Sequence, residues 1–177
     1  MSPQPERTPP RPLVVWIVSD GKPGHLNQSR GLAEALAHAT PAELHTIPAL
    51  PAWRACICLL TKRFPAPGLP SPDLILGAGH ATHLSLLAAG HATAGRTIVL
   101  MNPTLPRRLF DLVIVPAHDR VPADARTLVT EGALNRIHPA TIPSADRRQR
   151  GLILIGGTSS HFEWNSDAVL LQIRSLL

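Results

Sequence analysis

Five of the nine histidines fall where a turn follows an apolar run: His25, His80, His83, His118 and His161. Imidazole titrates near neutrality, so histidine at such positions suits proton transfer or anion binding. His25 closes the string Ser19-Asp20-Gly21-Lys22-Pro23-Gly24-His25, which holds a carboxylate close by. His25 is therefore the first candidate base, with Asp20 as its catalytic partner. Glu131, in Thr130-Glu131-Gly132, is the second candidate; its plainer reading is a charge at a helix start. His80 and His83 have a spacing that could ligate a metal. No cysteine lies near them and no HExxH string occurs, so no metal site is expected. For His83, capping or hydrogen bonding is the stronger reading.

The same turns are rich in glycine. Gly21, Gly24, Gly77, Gly79, Gly156 and Gly157 would let backbone approach a ligand closely. Helices that start after such turns point free N–H groups and partial positive charge at the ligand, which suits phosphate or diphosphate. The candidate ligand-binding set adds His80, Asn102, His118, Gly132, Asn135, Thr158, Ser159 and Ser160. The plain alternative is that the glycines only make tight turns. There is no Walker A string and no strict Gly-x-Gly-x-x-Gly after the first apolar run. That argues against a P-loop NTPase or an NAD enzyme, and no cofactor is expected.

The elements that must position these residues can be read from the pattern. Leu13–Val18 is a continuous apolar run, as in strands buried on both faces of a parallel sheet. Asn27–Ala39 then reads as a helix with Leu32, Ala35, Leu36 and Ala39 on one face. Further strands are expected at Glu43–Ile47, Asp73–Leu76, Thr97–Leu100, Leu112–Val115 and Thr127–Val129. Helices are expected at Ala52–Lys62 and Ala81–Ala89. Alternating strands and helices indicate an α/β, Rossmann-like, doubly wound parallel sheet. Residues 139–150 hold Pro, Ser and a cluster of arginines and read as a linker. Leu152–Ile155 starts a new strand, Gly156 to His161 forms its turn, and Asn165–Leu177 reads as a capped helix with Val169, Leu170, Ile173 and Leu176 facing a core. One strand and one helix bury too little to stand alone. Residues 13–138 are thus expected to form one domain and 151–177 the start of a second, incomplete one.

Composition narrows the function classes. The net charge is +5, yet the basic residues are scattered, and aromatics amount to only 3% with no tyrosine. Nucleic acid, which is read through basic stripes and stacked rings, is not an expected partner. Cys56 and Cys58 are too close for an unstrained disulfide and match no zinc spacing, so both are expected reduced and buried in a helix, consistent with a cytoplasmic protein. Residues 1–12 are Pro-rich and polar, which suggests a disordered tail rather than a signal peptide. No stretch is apolar enough to span a membrane. The helix from Ala52 sets Trp53, Leu59, Leu60 and Phe64 beside Arg54, Lys62 and Arg63. It could dock at an anionic membrane surface, as a peripheral contact at the inner face. An ordinary amphipathic helix packed on the sheet is the preferred reading.

Taken in order, the strings Val18-Ser19-Asp20-Gly21-Lys22-Pro23-Gly24-His25-Leu26-Asn27-Gln28-Ser29, Gly77-Ala78-Gly79-His80-Ala81-Thr82-His83, Met101-Asn102-Pro103, Pro116-Ala117-His118-Asp119, Thr130-Glu131-Gly132-Ala133-Leu134-Asn135 and Ile155-Gly156-Gly157-Thr158-Ser159-Ser160-His161 resemble the mitochondrial-fission (elongated-mitochondria) family. Bacterial members of it are labelled nucleoside-diphosphate-sugar epimerase-like. The family is similar to GT-B glycosyltransferases, which have two Rossmann-like domains around a cleft. The resemblance implies that this chain carries the N-terminal, acceptor-side domain and only the first unit of the donor-side domain. It implies a nucleotide-sugar as substrate with an acceptor of unknown identity. It places His25 as an acceptor-side base and Gly156–Ser160 at the donor phosphates. The chain alone is then expected to bind weakly and not to turn over. A non-catalytic module for protein or membrane-surface interaction is the alternative. An epimerase ranks third, because it needs NAD and a Tyr-x-x-x-Lys pair, and there is no tyrosine. Oligomeric state cannot be read from the sequence.

Overall fold

The computed structural model describes residues 11–137 and 164–176. The chain divides into two compact units, Met1–His138 and Pro139–Leu177. In the first unit the strands are β1 (Leu13–Ser19), β2 (Ala42–Pro48), β3 (Leu74–Ala78), β4 (Arg96–Leu100), β5 (Leu112–Pro116) and β6 (Thr127–Thr130). Its α-helices are α1 (Pro23–Ala39), α2 (Ala52–Thr61) and α3 (His83–Thr93). The strands form one sheet in the order β2-β1-β3-β4-β5-β6, and every neighbouring pair is parallel. The fold is α/β and Rossmann-like, as the apolar runs predict.

Strand periodicity explains how one run feeds two cores. Val14, Trp16 and Val18 join Ile47, Ile75, Val99, Val113 and Val115 on one face of the sheet. Val15 and Ile17 join Leu76, Ile98, Leu100 and Ile114 on the other. Side chains alternate across a strand, so a strand covered on both faces must be apolar at every position. Leu86 and Ala89 of α3 cover the first face, and Ala33 of α1 covers the second. Each fully buried Val, Leu or Ile contributes about 1.5–3 kcal/mol relative to exposure.

Several expectations are corrected. Helix α1 starts at Pro23 rather than Asn27, because proline at the first helical position has its φ preset and no N–H to leave unpaired. Gly24 and His25 therefore lie in the first helical turn. Strand β3 runs on through Ala78, so Gly77 is a strand residue and not part of the turn. A short 3₁₀ turn, His80–Thr82, precedes α3. The connections after β4 and β5 hold no α-helix, only the 3₁₀ turns Arg107–Leu109 and Ala117–Asp119. Buried Phe110 and partly buried Leu105 cover the sheet there instead. Cys58 is buried, but Cys56 is exposed, since the two point to different sides of α2. Arg11, at the edge of the expected tail, is tied to Asp73 through Nη1 to Oδ2 at 2.9 Å. Helix α2 packs chiefly on α3 and leaves Trp53, Ile57 and Leu60 in solvent, so it is not an ordinary helix laid on the sheet.

Among the described residues of the second unit is α4 (Ser166–Leu176). The Asn165 side chain accepts a bond from the Ala168 N–H at 3.0 Å, which caps the helix as its sequence predicts. Val169 and Ile173, one turn apart, are half-buried, whereas Leu170 is exposed and does not face a core. The linker, the strand at Leu152–Ile155 and the turn Gly156 to His161 lie outside the described residues.

Candidate functional site

Strand β1 has β2 on one side and β3 on the other, so the chain direction across the sheet reverses at β1. In open parallel sheets, ligands bind outside the carboxyl ends of strands at such a switch point. The residues that meet here are Asp20 and His25 after β1 and Gly79 after β3. His25 Nδ1 and Asp20 Oδ2 are 2.8 Å apart. The Asp20 side chain is 4% exposed and that of His25 is 20% exposed. A Cβ at Gly79 would overlap the His25 ring, so the imidazole lies directly on the Gly79 backbone. Gly79 has φ 83° and ψ 152°, a region that only glycine enters readily. Backbone conformation and ring packing thus both require glycine at this position.

Burial pushes the Asp20 carboxyl up, but its bonds to His25 and to the Lys22 N–H, with their positive charge, outweigh this and hold it below its ordinary value. Asp20 is therefore ionised at neutral pH and can only accept hydrogen bonds. His25 Nδ1–H therefore donates to Asp20, and Nε2 is the ring nitrogen turned away from the carboxylate. Nε2 has no hydrogen-bond partner among the described residues. An imidazole so oriented can take a proton from a hydroxyl. Ser29, one turn along α1 from His25, is buried with its hydroxyl unpartnered.

The start of α1 has no side-chain cap on its terminal N–H groups. Asp20 Oδ1 accepts from the Lys22 N–H at 3.1 Å, and Ser19 Oγ accepts from the Gly21 N–H at 3.1 Å. A carboxylate thus already sits beside the positive end of the helix. A phosphate placed there would meet a like charge. This rim is better suited to acid–base work than to holding an anion.

Asp20 also lines a cleft of about 500 Å³ with Ser19, Gly21, Thr46, Ile47, Pro48 and Ala49. That volume is in the range of small-molecule sites. The contribution of the β2 end was missed from sequence. Nothing in Thr46 to Ala49 signals chemistry, and only the strand order brings it beside Asp20.

The remaining candidates are spread along the same rim. His80 is exposed in the 3₁₀ turn after β3. Gly77 is buried, and the space it leaves is filled by Thr82 and Leu86. His83 is buried, bonded to Thr104 Oγ1 at 3.3 Å and packed edge-on to Phe110. Burial, then the charge of His80, lowers its pKa, so it is a neutral structural histidine. The Asn102 N–H donates to Asp119 Oδ2 at 3.3 Å, joining the ends of β4 and β5. His118 is exposed beside Asp119. Glu131 and Gly132 are exposed after β6. With strands about 4.8 Å apart, β6 lies roughly 19 Å from β1, so Glu131 and His25 are not brought together. Asn135 Oδ1 accepts from the Ile137 N–H at 2.8 Å, and the Asn135 backbone packs against Gly31 of α1. Among the described residues no three His, Cys, Asp or Glu side chains converge as a metal site requires. No helix among them is long and apolar enough to cross a membrane.

A family model described as Mitochondrial fission ELM1 matches residues 23–177. The chain belongs to the mitochondrial fission ELM1 family. No curated protein and no solved structure matches it. Of the strings that carry the resemblance, most of the first and all of the others lie within the matched residues. The His25 helix start and the β3 turn that packs against it are therefore part of the region by which this ELM1-family chain is recognised.

Proposed function

We propose that this ELM1-family chain is the acceptor-side part of a glycosyltransferase-type protein that works with a nucleotide-sugar. The observation that carries the reading is the buried, ionised Asp20 fixing His25 Nδ1–H at the switch point of the sheet. In the proposed step, His25 Nε2 takes the proton of an acceptor hydroxyl. The acceptor oxygen bonds to the anomeric carbon, and the bond from that carbon to the diphosphate breaks. The electron pair leaves on the nucleoside diphosphate, with inversion at the sugar. Asp20 orients the ring and stabilises the imidazolium that forms. The cleft beside Asp20 would hold the acceptor. The donor phosphates would be held by Gly156, Gly157, Thr158, Ser159 and Ser160.

The test has two arms. Calorimetry of the chain, and of a longer family member, is run against nucleoside diphosphates and nucleotide-sugars. Release of nucleoside diphosphate is then followed in the longer protein with candidate hydroxyl acceptors. Binding by the longer protein is expected, and the substitution equivalent to His25→Gln should slow release about 10²–10⁴-fold. If no nucleoside diphosphate or nucleotide-sugar binds either protein, the reading fails.

A further inference from the structure

We propose that the outward face of α2 docks on an anionic lipid surface. Trp53, Ile57 and Leu60 recur at helical spacing and make one stripe. They are 61%, 50% and 85% exposed. Only Ala55 and Cys58 of this helix are buried. Large apolar side chains gathered in solvent mark an interaction surface.

Charge selects the occupant. The Arg54 guanidinium lies over the Trp53 ring, 5.1 Å from its centre. Lys62 and Arg63 follow at the helix end, and all three cations are exposed. No Asp or Glu occurs between Glu43 and Asp73, so this stretch carries no carboxylate of its own to neutralise them. A cleft of about 410 Å³ beside the stripe is lined by Leu50, Trp53, Arg54, Ile57, Cys58 and Pro65. An apolar stripe with tryptophan, flanked by cations, matches a bilayer interface: the stripe enters the acyl boundary while the cations meet anionic headgroups. The helix is short, so binding should be reversible and sensitive to salt. The inference does not depend on glycosyl transfer.

The test is co-sedimentation of the chain with phosphatidylcholine vesicles, with and without phosphatidylglycerol. Binding is expected only with phosphatidylglycerol and should fall as salt rises. Arg54→Gln, Lys62→Gln and Arg63→Gln should each weaken it about fivefold, as expected for a cation near an anionic surface. Trp53→Ala and Leu60→Ser should weaken it further. Arg30→Gln, on α1 across the sheet, should leave it unchanged, which separates a local surface from the overall positive charge. Circular dichroism and thermal melts of the Trp53, Arg54, Leu60, Lys62 and Arg63 variants should match the parent, because these side chains are exposed. Equal binding to both vesicle types, or undiminished binding by Trp53→Ala and Leu60→Ser, overturns the proposal. So does a dimer in vesicle-free solution that Leu60→Ser abolishes, if vesicle binding is absent, since the face would then belong to a second copy.

Discussion

A carboxylate that is nearly buried yet ionised needs donors, and Asp20 has two: the Lys22 N–H and the His25 ring. Its folded-state pKa is lower than its ordinary value. The stabilisation it gives is therefore fully present above the unfolded value, about 3.9, and is lost as pH falls through the folded value. Asp73 behaves in the same direction, held down by its bonds to Arg11 and the Val14 N–H. Urea unfolding measured at successive pH values should show stability falling in that acid window, and Asp20→Asn should make the fall shallower. An acid limb identical in parent and variant would remove Asp20 from the account. Gly79→Ala is a second expectation at this scale. It should cost about 1–3 kcal/mol, because alanine must take a conformation nearly confined to glycine. It should also shift the His25 ring resonances in NMR spectra, because the new methyl overlaps the imidazole. An unshifted ring would mean that Gly79 does not support His25. The sequence already marked Asp20, His25 and Gly79 as candidates. The pairing of Asp20 with His25, five residues apart, was legible, but the contact of His25 with Gly79 was not, because it forms only once β3 takes its place beside β1.

Elements were legible where one pattern admits one arrangement. The run Val14 to Val18 requires cover on both faces and obtains it. Helix α2 shows the limit. The pattern sets Trp53, Leu59, Leu60 and Phe64 together, yet Trp53 and Leu60 lie in solvent and only Leu59 and Phe64 are half-buried, because periodicity does not say which side of a helix meets a core. The start of α1 shows another. Pro23 and Gly24 read as a turn, while proline at a helix start is equally regular and moves His25 onto a rigid element. The segment after β6 returns to α1: Asn135 backbone fills the space beside Gly31, and Arg136 Nε bonds Glu34 Oε2 at 2.8 Å. Gly31→Ala would drive a methyl into the Asn135 carbonyl. It should destabilise the chain by about 1–3 kcal/mol as an overpacked contact does. Amide exchange at Ile137, whose N–H is held by Asn135, should accelerate in that variant. Parent-like exchange would show that the loop is held by Arg136 and Leu134 without this close approach.

At the scale of the molecule, the two units are expected to divide the labour. The unit Met1–His138 contains the whole six-stranded sheet, both of its cores and the Asp20–His25 pair. A chain of that length buries about two-thirds of its surface, enough to fold by itself. The glycine-rich string Gly156 to Ser160, proposed to hold the donor phosphates, belongs to the other unit, and a carboxylate already stands at the α1 start where a diphosphate would otherwise be drawn. Ending the chain after His138 should therefore leave a cooperative thermal transition and keep vesicle binding through α2. It should remove whatever affinity the chain has for nucleoside diphosphates. Calorimetry on the shortened and parent chains, beside sedimentation with anionic vesicles, separates the two properties. Should the shortened chain bind a nucleoside diphosphate as well as the parent, the anion site would belong to the first sheet, and the division of donor from acceptor between the units would be wrong. Loss of vesicle binding by a shortened chain that still melts cooperatively would instead move the docking surface off α2.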